Sequence, residues 1–246
     1  YFYKLQHDLL MKHRGDISHA MIFGQISDEN FTASTSYLTD ANSNRVQTTR
    51  GLREYITTYG IDDTSAAQIF DLDYVKSLVR RFAAARCPEE YMILGGIEGA
   101  IAFTEFASAL TAGVSFSPNA RININGSTVD VDVDTWKGFG HTFMFKRLPL
   151  LDHKETINFT GSAGFQNEMY FLPMDKVRDE GSGADVERFR IRYLSGDGLD
   201  FRYLERMDGK LAPNPTSLDS VLQSEYQSIM GLEVCGPDHF AIVKLQ

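Results

Sequence analysis

The sequence is poor in cysteine, with Cys87 and Cys235 alone in 246 residues, and it has one tryptophan and seven prolines. The two cysteines stand far apart, with neither metal-ligand spacing nor the makings of a disulfide framework. Both read as small hydrophobes in a reducing compartment. No apolar run approaches the roughly 18 residues of a membrane helix, and no signal peptide is visible, so no membrane partner is expected. Basic charge is in the minority: 24 Lys and Arg against 33 Asp and Glu give a formal net charge of −9. That balance disfavours gripping nucleic acid through overall charge. It suits an ordinary acidic protein, and equally a wall facing packed DNA without binding it tightly.

Catalytic signatures are missing as well. His7, His13, His19, His141, His153 and His239 form no close ligand pair, and the first three, six apart, do not stack on one helix face. There is no Gly-x-Ser-x-Gly elbow and no nucleophile context around either cysteine. Gly95-Gly96-Ile97-Glu98-Gly99 follows a strand but fits neither the dinucleotide fingerprint nor the Walker pattern, so a turn needing small residues is favoured. Asp130, Asp132 and Asp134 mimic the start of a calcium loop. Thr135 stands where the loop needs glycine and His141 where it needs a bidentate carboxylate. Alternation with Val129, Val131 and Val133 explains the spacing, valines in and aspartates out. No metal, cofactor or enzyme activity is expected, although a soluble enzyme with a site assembled from distant residues stays open as an alternative.

What is present is periodicity. Leu5, Leu9, Leu10, Ile17, Met21 and Ile22 predict an amphipathic helix over 4–23 ending at Gly24, with Gly15 weakening it by about 1 kcal/mol relative to alanine. The polar stretch 25–47 reads as a long loop. Helical signals return over 50–57 and more strongly over 71–86, where Leu72, Val75, Leu78, Val79 and Phe82 form a stripe and Pro88 is the expected stop. A buried strand at 91–94 and a helix over 97–110 complete a helix–strand–helix unit of layered type. From Val114 the period becomes two. Ile122 and Ile124, the Asn125-Gly126 turn, and Val129, Val131 and Val133 predict a hairpin. Strands are expected at 142–146, 168–172, 186–194 and 199–205, the last two flanking a Ser195-Gly196-Asp197-Gly198 turn, while 180–185 reads as a flexible loop. A helical or mixed segment over 217–230 and strands at 232–234 and 240–245 close the chain. The fold class is α+β, with helices early and strands late.

One charge pattern stands out. Arg188, Arg190 and Arg192 alternate with Phe189, Ile191 and Tyr193, which puts three guanidinium groups on one strand face. Arg202 and Arg206 add charge nearby if the hairpin forms. Like charges in a row repel and are most stable opposite carboxylates, and arginine suits bidentate pairing. Three readings stay open: a solvated strand face, a subunit interface with Asp130, Asp132 and Asp134 as one candidate partner, and nucleic-acid contact, which the acidic whole weakens.

Several segments carry a family resemblance. Lys12-His13-Arg14-Gly15-Asp16-Ile17-Ser18-His19-Ala20-Met21-Ile22-Phe23-Gly24 is followed by Thr48-Thr49-Arg50-Gly51-Leu52-Arg53-Glu54-Tyr55-Ile56. Later come Trp136-Lys137-Gly138-Phe139-Gly140-His141-Thr142-Phe143, Leu148-Pro149-Leu150-Leu151-Asp152, and Tyr170-Phe171-Leu172-Pro173 with Lys176-Val177. Ser224-Glu225-Tyr226, Gly231-Leu232-Glu233-Val234 and Pro237-Asp238-His239-Phe240-Ala241-Ile242-Val243-Lys244-Leu245 close the series. In this order they resemble the major capsid proteins of tailed bacteriophages, with the Hong Kong 97-type fold. The resemblance implies an α+β Hong Kong 97-like capsid fold with a spine helix. Its peripheral domain would comprise 1–49 and 152–228, and its axial α/β domain 50–151 and 229–246. It further implies a structural subunit that self-assembles as pentamers and hexamers into an icosahedral viral shell in the bacterial host cytoplasm. The shell would enclose double-stranded DNA without sequence-specific binding and meet other virion proteins such as portal or decoration proteins. The arginine-rich strand would lie in the peripheral domain, where capsomers meet. Family members carry an N-terminal arm and an extended loop before the spine helix, and nothing before Tyr1 supplies them. The expectation is a processed product, a fragment or a reduced relative. An encapsulin-like compartment shell is the alternative from the same structural class.

Overall fold

The computed structural model describes residues 2–25, 49–111, 122–124, 127–129, 135–152, 165–178, 181, 183–196, 199–200, 202, 204–208 and 223–246. The expected loop 25–47 falls almost wholly outside them, as do residues 130–134. The elements begin with α1 (Phe2–Phe23), α2 (Leu52–Tyr59), β1 (Ile61–Gln68), α3 (Leu72–Ala84), β2 (Glu90–Gly95) and α4 (Ile97–Thr111). Strands follow: β3 (Ile122–Ile124), β4 (Ser127–Val129), β5 (Thr135–Gly138), β6 (His141–Arg147), β7 (Glu168–Pro173), β8 (Lys176–Arg178) and β9 (Asp185–Glu187). The last are β10 (Phe189–Tyr193), β11 (Ser195–Gly196), β12 (Leu199–Asp200), β13 (Leu204–Asp208), β14 (Gln223–Gln227), β15 (Met230–Val234) and β16 (Ala241–Leu245). The class is α+β, as expected. The chain divides into two compact units, one of residues 1–54 with 189–234 and one of 55–188 with 235–246.

The second unit is built on a six-stranded mixed sheet in the order β1-β16-β7-β2-β6-β5. β1 runs parallel to β16 and β2 parallel to β6, and the remaining neighbours are antiparallel. Helices α3 and α4 share one hydrophobic core with this sheet. Val75, Leu78 and Phe82 of α3 and Phe103 and Phe106 of α4 pack with Tyr91, Ile93, Phe143, Met169, Phe171 and Val243. The Phe82 and Tyr91 rings stack 4.3 Å apart at 10°. Asp71 caps α3, its carboxylate accepting from the Tyr74 N–H at 2.8 Å. The helix stops before the expected proline. Arg86 takes a left-handed φ of 54°, and its N–H and that of Cys87 donate to the Ala83 and Phe82 carbonyls. That is a Schellman closure with arginine in place of the usual glycine.

Strand β1 is absent from the sequence reading. Ile61-Asp62-Asp63-Thr64-Ser65-Ala66-Ala67-Gln68 lacks apolar alternation because it is a sheet edge, half solvated. A polar latch holds it: Asp63 accepts from the Arg81 guanidinium and from the Tyr74 hydroxyl at 2.6 Å. The Arg81 hydrogen bond holds the Asp63 carboxyl below its usual range. The small-residue reading of Gly95-Gly96 holds. A Cβ on Gly96 would lie 2.5 Å from Asp152 Oδ1, an oxygen that already accepts from the Ile97 N–H at 2.7 Å and caps α4. Arg147 holds the other Asp152 oxygen at 2.8 Å, so the Pro-Leu-Leu-Asp turn (a 3-10 turn, Pro149–Asp152) exists to deliver a cap.

The first unit joins α1 to two-stranded ribbons, β10 with β15 and β13 with β14. The Phe-Gly end of α1 and the Thr-Arg-Gly-Leu start of α2 meet here. The Gly51 N–H donates to the Gly24 carbonyl at 2.7 Å, and a Cβ on Gly51 would lie 2.5 Å from the Gly24 nitrogen. Only two residues without side chains allow that approach. Thr49 Oγ1 accepts from the Leu232 N–H at 3.0 Å, tying the same corner to β15. On α1, His13 lies 2.9 Å from Ser228 Oγ, whereas Leu5, Leu9 and Met11 are exposed.

Three expectations are corrected. Within the segment 217–230, read as helical or mixed, residues 223–227 are strand: Ser224 and Tyr226 turn inward and Gln223, Glu225 and Gln227 outward, a period of two that pairs with β13. Strands 186–194 and 199–205 do not form one hairpin across Ser195–Gly198: β10 pairs with β15, and β13 pairs with β14. The single strand over 186–194 is broken at Arg188 into β9 and β10. Strands β3 and β4, flanking Asn125-Gly126, pair as expected, with Ile122 opposite Val129 and Ile124 opposite Ser127; β11 and β12, flanking Asp197-Gly198, pair over two residues, with Gly196 opposite Leu199.

Candidate subunit interface

The break at Arg188 divides the three arginines. Arg188 belongs to the second unit and keeps only 10% of its side chain exposed. Its Nε donates to Asp175 Oδ1 and its Nη2 to Asp175 Oδ2 at 2.7 Å, the two-pronged geometry that arginine is built for. Its carbonyl accepts from the Cys235 N–H at 2.7 Å. Gly236, left-handed at φ 64°, makes room for the guanidinium, because a Cβ there would lie 2.6 Å from Nη1. Arg188 is therefore a clamp inside its own unit.

Arg190 and Arg192 belong to the first unit and converge on one carboxylate. Glu233 sits directly across the ladder from Arg190, and Gly231 sits across from Arg192. Without a side chain at 231, Arg192 leans diagonally to Glu233. Arg190 Nη2 donates to Glu233 Oε1 at 2.7 Å, and Arg192 Nε donates to Oε2. These hydrogen bonds, Arg190's first, lower the Glu233 carboxyl from 4.5 to about 2. Arg192 still exposes 59% of its side chain. The partners that sequence reasoning missed are Asp175 and Glu233. Glu233 lies in an unremarkable Gly-Leu-Glu-Val run, and no local signal pairs it with residues some forty positions earlier. Asp130, Asp132 and Asp134 lie outside the described residues.

The opposite face of the β10–β15 ribbon is apolar. Phe189, Ile191 and Tyr193 face Val234, Leu232 and Met230 in register. None of the six is buried, with Ile191 at 50% and Tyr193 at 41% exposure. The Arg202 guanidinium carbon lies 4.0 Å from the Tyr193 ring centroid, a cation–π contact. Leu194 and Ile229, joined by a backbone hydrogen bond of 3.0 Å, are exposed beside it.

The other residues considered for chemistry are structural in their surroundings. His141 is buried among the Phe82, Tyr91 and Phe143 rings. Cys87 is half-buried and burial pushes its thiol up, away from the thiolate a nucleophile needs. Among the described residues no group of three or more His, Cys, Asp or Glu is placed to hold a metal ion, and no helix is long and apolar enough to cross a membrane.

No family model matches the chain, and no curated protein does. Among solved structures, a chain of the holo-SrpI encapsulin complex from Synechococcus elongatus PCC 7942, determined by cryo-electron microscopy, is similar with a TM-score of 0.40 and 15% sequence identity. The match covers 79% of this chain and 55% of that one, so this chain spans about half the length of the structure it matches.

Proposed function

We propose that the chain is a subunit of a closed protein shell, built by association with further copies of itself. The observation that carries this reading is the distribution of the core. Among the described residues, Met21 and Leu52 are the buried apolar side chains of the first unit, and every other buried apolar side chain belongs to the second. Among the described residues α1 and the two-stranded ribbons bury little apolar surface between them, and an isolated ribbon is marginal in water. The apolar groups the first unit leaves outside, Leu5, Leu9 and Met11 on α1 and Ile191 and Tyr193 on β10, are the surface that neighbouring subunits cover. The ordered motifs of the sequence support the same reading.

Two finer versions differ in contents. As a phage major capsid protein the chain would enclose double-stranded DNA in an icosahedral virion head and meet portal or decoration proteins. As an encapsulin-like shell it would enclose a compartment without a genome. Electron microscopy of the purified protein tests the common reading, with regular closed particles expected. Small monodisperse particles at all concentrations refute it. Nuclease-protected DNA inside the particles then selects the viral version, and its absence selects the compartment.

A further inference from the structure

Among the described residues two that are not glycine take the left-handed conformation, Arg86 and Phe139, each at φ 54°. Arg86 closes α3. Phe139 has no such task. With Gly140, at φ 81°, it forms the two-residue turn between β5 and β6, across which Gly138 pairs with His141. Both central residues of such a turn need a positive φ, so asparagine or aspartate is the usual first residue, and a bulky aromatic there is strained. Burial does not offset the strain: the ring meets Trp136 edge-on at 6.0 Å and stays 54% exposed. A strained backbone position that holds an open aromatic ring at a hairpin tip points to a contact group.

The second feature lies on α4, in the same unit. Ile97 and Ile101, one turn apart, are exposed there, and Glu98 and Glu105, also exposed, follow one flank of the stripe. Lys137, two residues before Phe139, is exposed as well. Neither Lys137 nor the two glutamates has an ion-pair partner among the described residues. Glu90, in register with Lys137 two strands away, stands about 10 Å off. One patch is therefore an aromatic ring beside a cation, and the other an isoleucine pair beside two carboxylates.

We propose that Phe139 of one copy docks on the Ile97–Ile101 stripe of a second copy, with Lys137 meeting the Glu98–Glu105 flank. The two patches lie at opposite ends of one sheet. β2 and β6 start together beside the hairpin, where the Glu89 carbonyl accepts from the Thr142 N–H at 2.8 Å. The six residues of β2, about 20 Å of strand, separate that end from Ile97. The patches cannot meet within one chain, so the contact joins two copies. It is heterologous, each copy giving with one end of the sheet and receiving with the other, and repetition of such a contact generates rings and shells. Pairing either patch with its own copy would set like charges against each other, which is costly across an interface. The inference rests on the shell reading for its partner, a second copy of this chain.

The experiment compares the full chain with four variants: Phe139→Asn, Lys137→Glu, Glu98→Lys with Glu105→Lys, and these three charge reversals together. Assembly is read by sedimentation velocity and electron microscopy, and stability by urea denaturation followed by circular dichroism below the assembly concentration. Phe139→Asn is expected to keep or raise the urea midpoint, because asparagine accepts a left-handed φ, and yet to raise the concentration needed for assembly more than about tenfold. A role confined to packing on Trp136 gives the opposite pair, a lower midpoint with normal assembly. Each one-sided charge reversal is expected to weaken assembly several-fold, and the combined protein to regain most of the loss. Normal assembly of Phe139→Asn, a lowered midpoint in that variant, or a combined protein no better than its one-sided parents overturns the contact and leaves the shell reading standing. A wild-type chain that never associates overturns both.

Discussion

Neutralising Arg188 and Arg192 should have different consequences, although the sequence sets them on one strand. Arg188→Met removes a guanidinium with 10% exposure from a carboxylate, Asp175, with 34% exposure. Breaking a buried pair by deleting one partner costs about 3–5 kcal/mol, because the other charge is left in low dielectric. Asp175 is open enough for water to recover part of that, so about 2–3 kcal/mol is expected. Arg192→Met removes an exposed guanidinium, and Glu233 keeps Arg190, so the expected loss is about 0–1 kcal/mol. Urea denaturation followed by the fluorescence of Trp136, the single tryptophan, reads the unit that holds Arg188. The midpoint should fall clearly for Arg188→Met and barely for Arg192→Met. Arg188→Met with Asp175→Leu should recover most of the loss, since apolar replacement of both partners removes the stranded charge. Equal midpoints for the two single variants, or no recovery in the pair, would refute the clamp. Reversing all three arginines perturbs the fold through Arg188 and does not isolate an interface.

Three further outcomes follow from single contacts. Glu233→Gln should loosen β10 by about 1 kcal/mol at pH 7, read as faster amide exchange at residues 189–193. Because pairing lowers the Glu233 pKa from 4.5 to about 2, its contribution is complete above about pH 5 and fades as pH falls through 2, so wild type and variant should converge at that acid limit; a gap independent of pH contradicts the pairing. Asp152→Ala removes the cap on α4 and the partner of Arg147, and about 1 kcal/mol should be lost with faster exchange in the first turn of that helix; unchanged exchange there speaks against the cap. Gly51→Ala drives a Cβ to 2.5 Å from the Gly24 backbone and should destabilise the α1–α2 corner, measured by limited proteolysis between 24 and 51, whereas Gly15→Ala, with open space around it, should stabilise α1 by up to about 1 kcal/mol.

The legible parts of the fold were those governed by one element's own periodicity. The α3 stripe, the β2, β6 and β7 cores and the two-residue hairpins each announce themselves within about fifteen residues. β1 did not, because an edge strand held by Asp63, Arg81 and Tyr74 has no apolar alternation to read. β14 reads as helical or mixed in sequence because its inward residues are Ser224 and Tyr226, one of them polar, so the period of two carries little hydrophobic contrast. The candidate site was half legible. Alternation set Arg190 and Arg192 on one face, but Glu233 as their shared partner depends on the β10–β15 register, which local sequence does not encode. Arg188 leaves that face for a related reason: Asp175 binds its guanidinium and left-handed Gly236 makes room for it, at the break between β9 and β10.

On the shell reading, the division of the core bears on how strong the contacts between copies need to be. The second unit, with its aromatic cluster around Phe82, Tyr91, Phe143 and Phe171, has what a domain requires to stand alone. On the shell reading, the first unit, with Met21 and Leu52 as its buried apolar side chains among the described residues, would gain order when a neighbouring copy covers its ribbons. Association that binds the ordered form stabilises that form by mass action. Part of the binding energy is then consumed in ordering the ribbons, so the net contact is weaker than its area suggests. Weak net contacts are what a closed shell of many copies requires, because misplaced subunits must be able to leave. On the shell reading, an apolar ribbon face with Ile191 and Tyr193 left open, backed by an arginine–glutamate seam on the reverse, meets that requirement better than a preformed and rigid one.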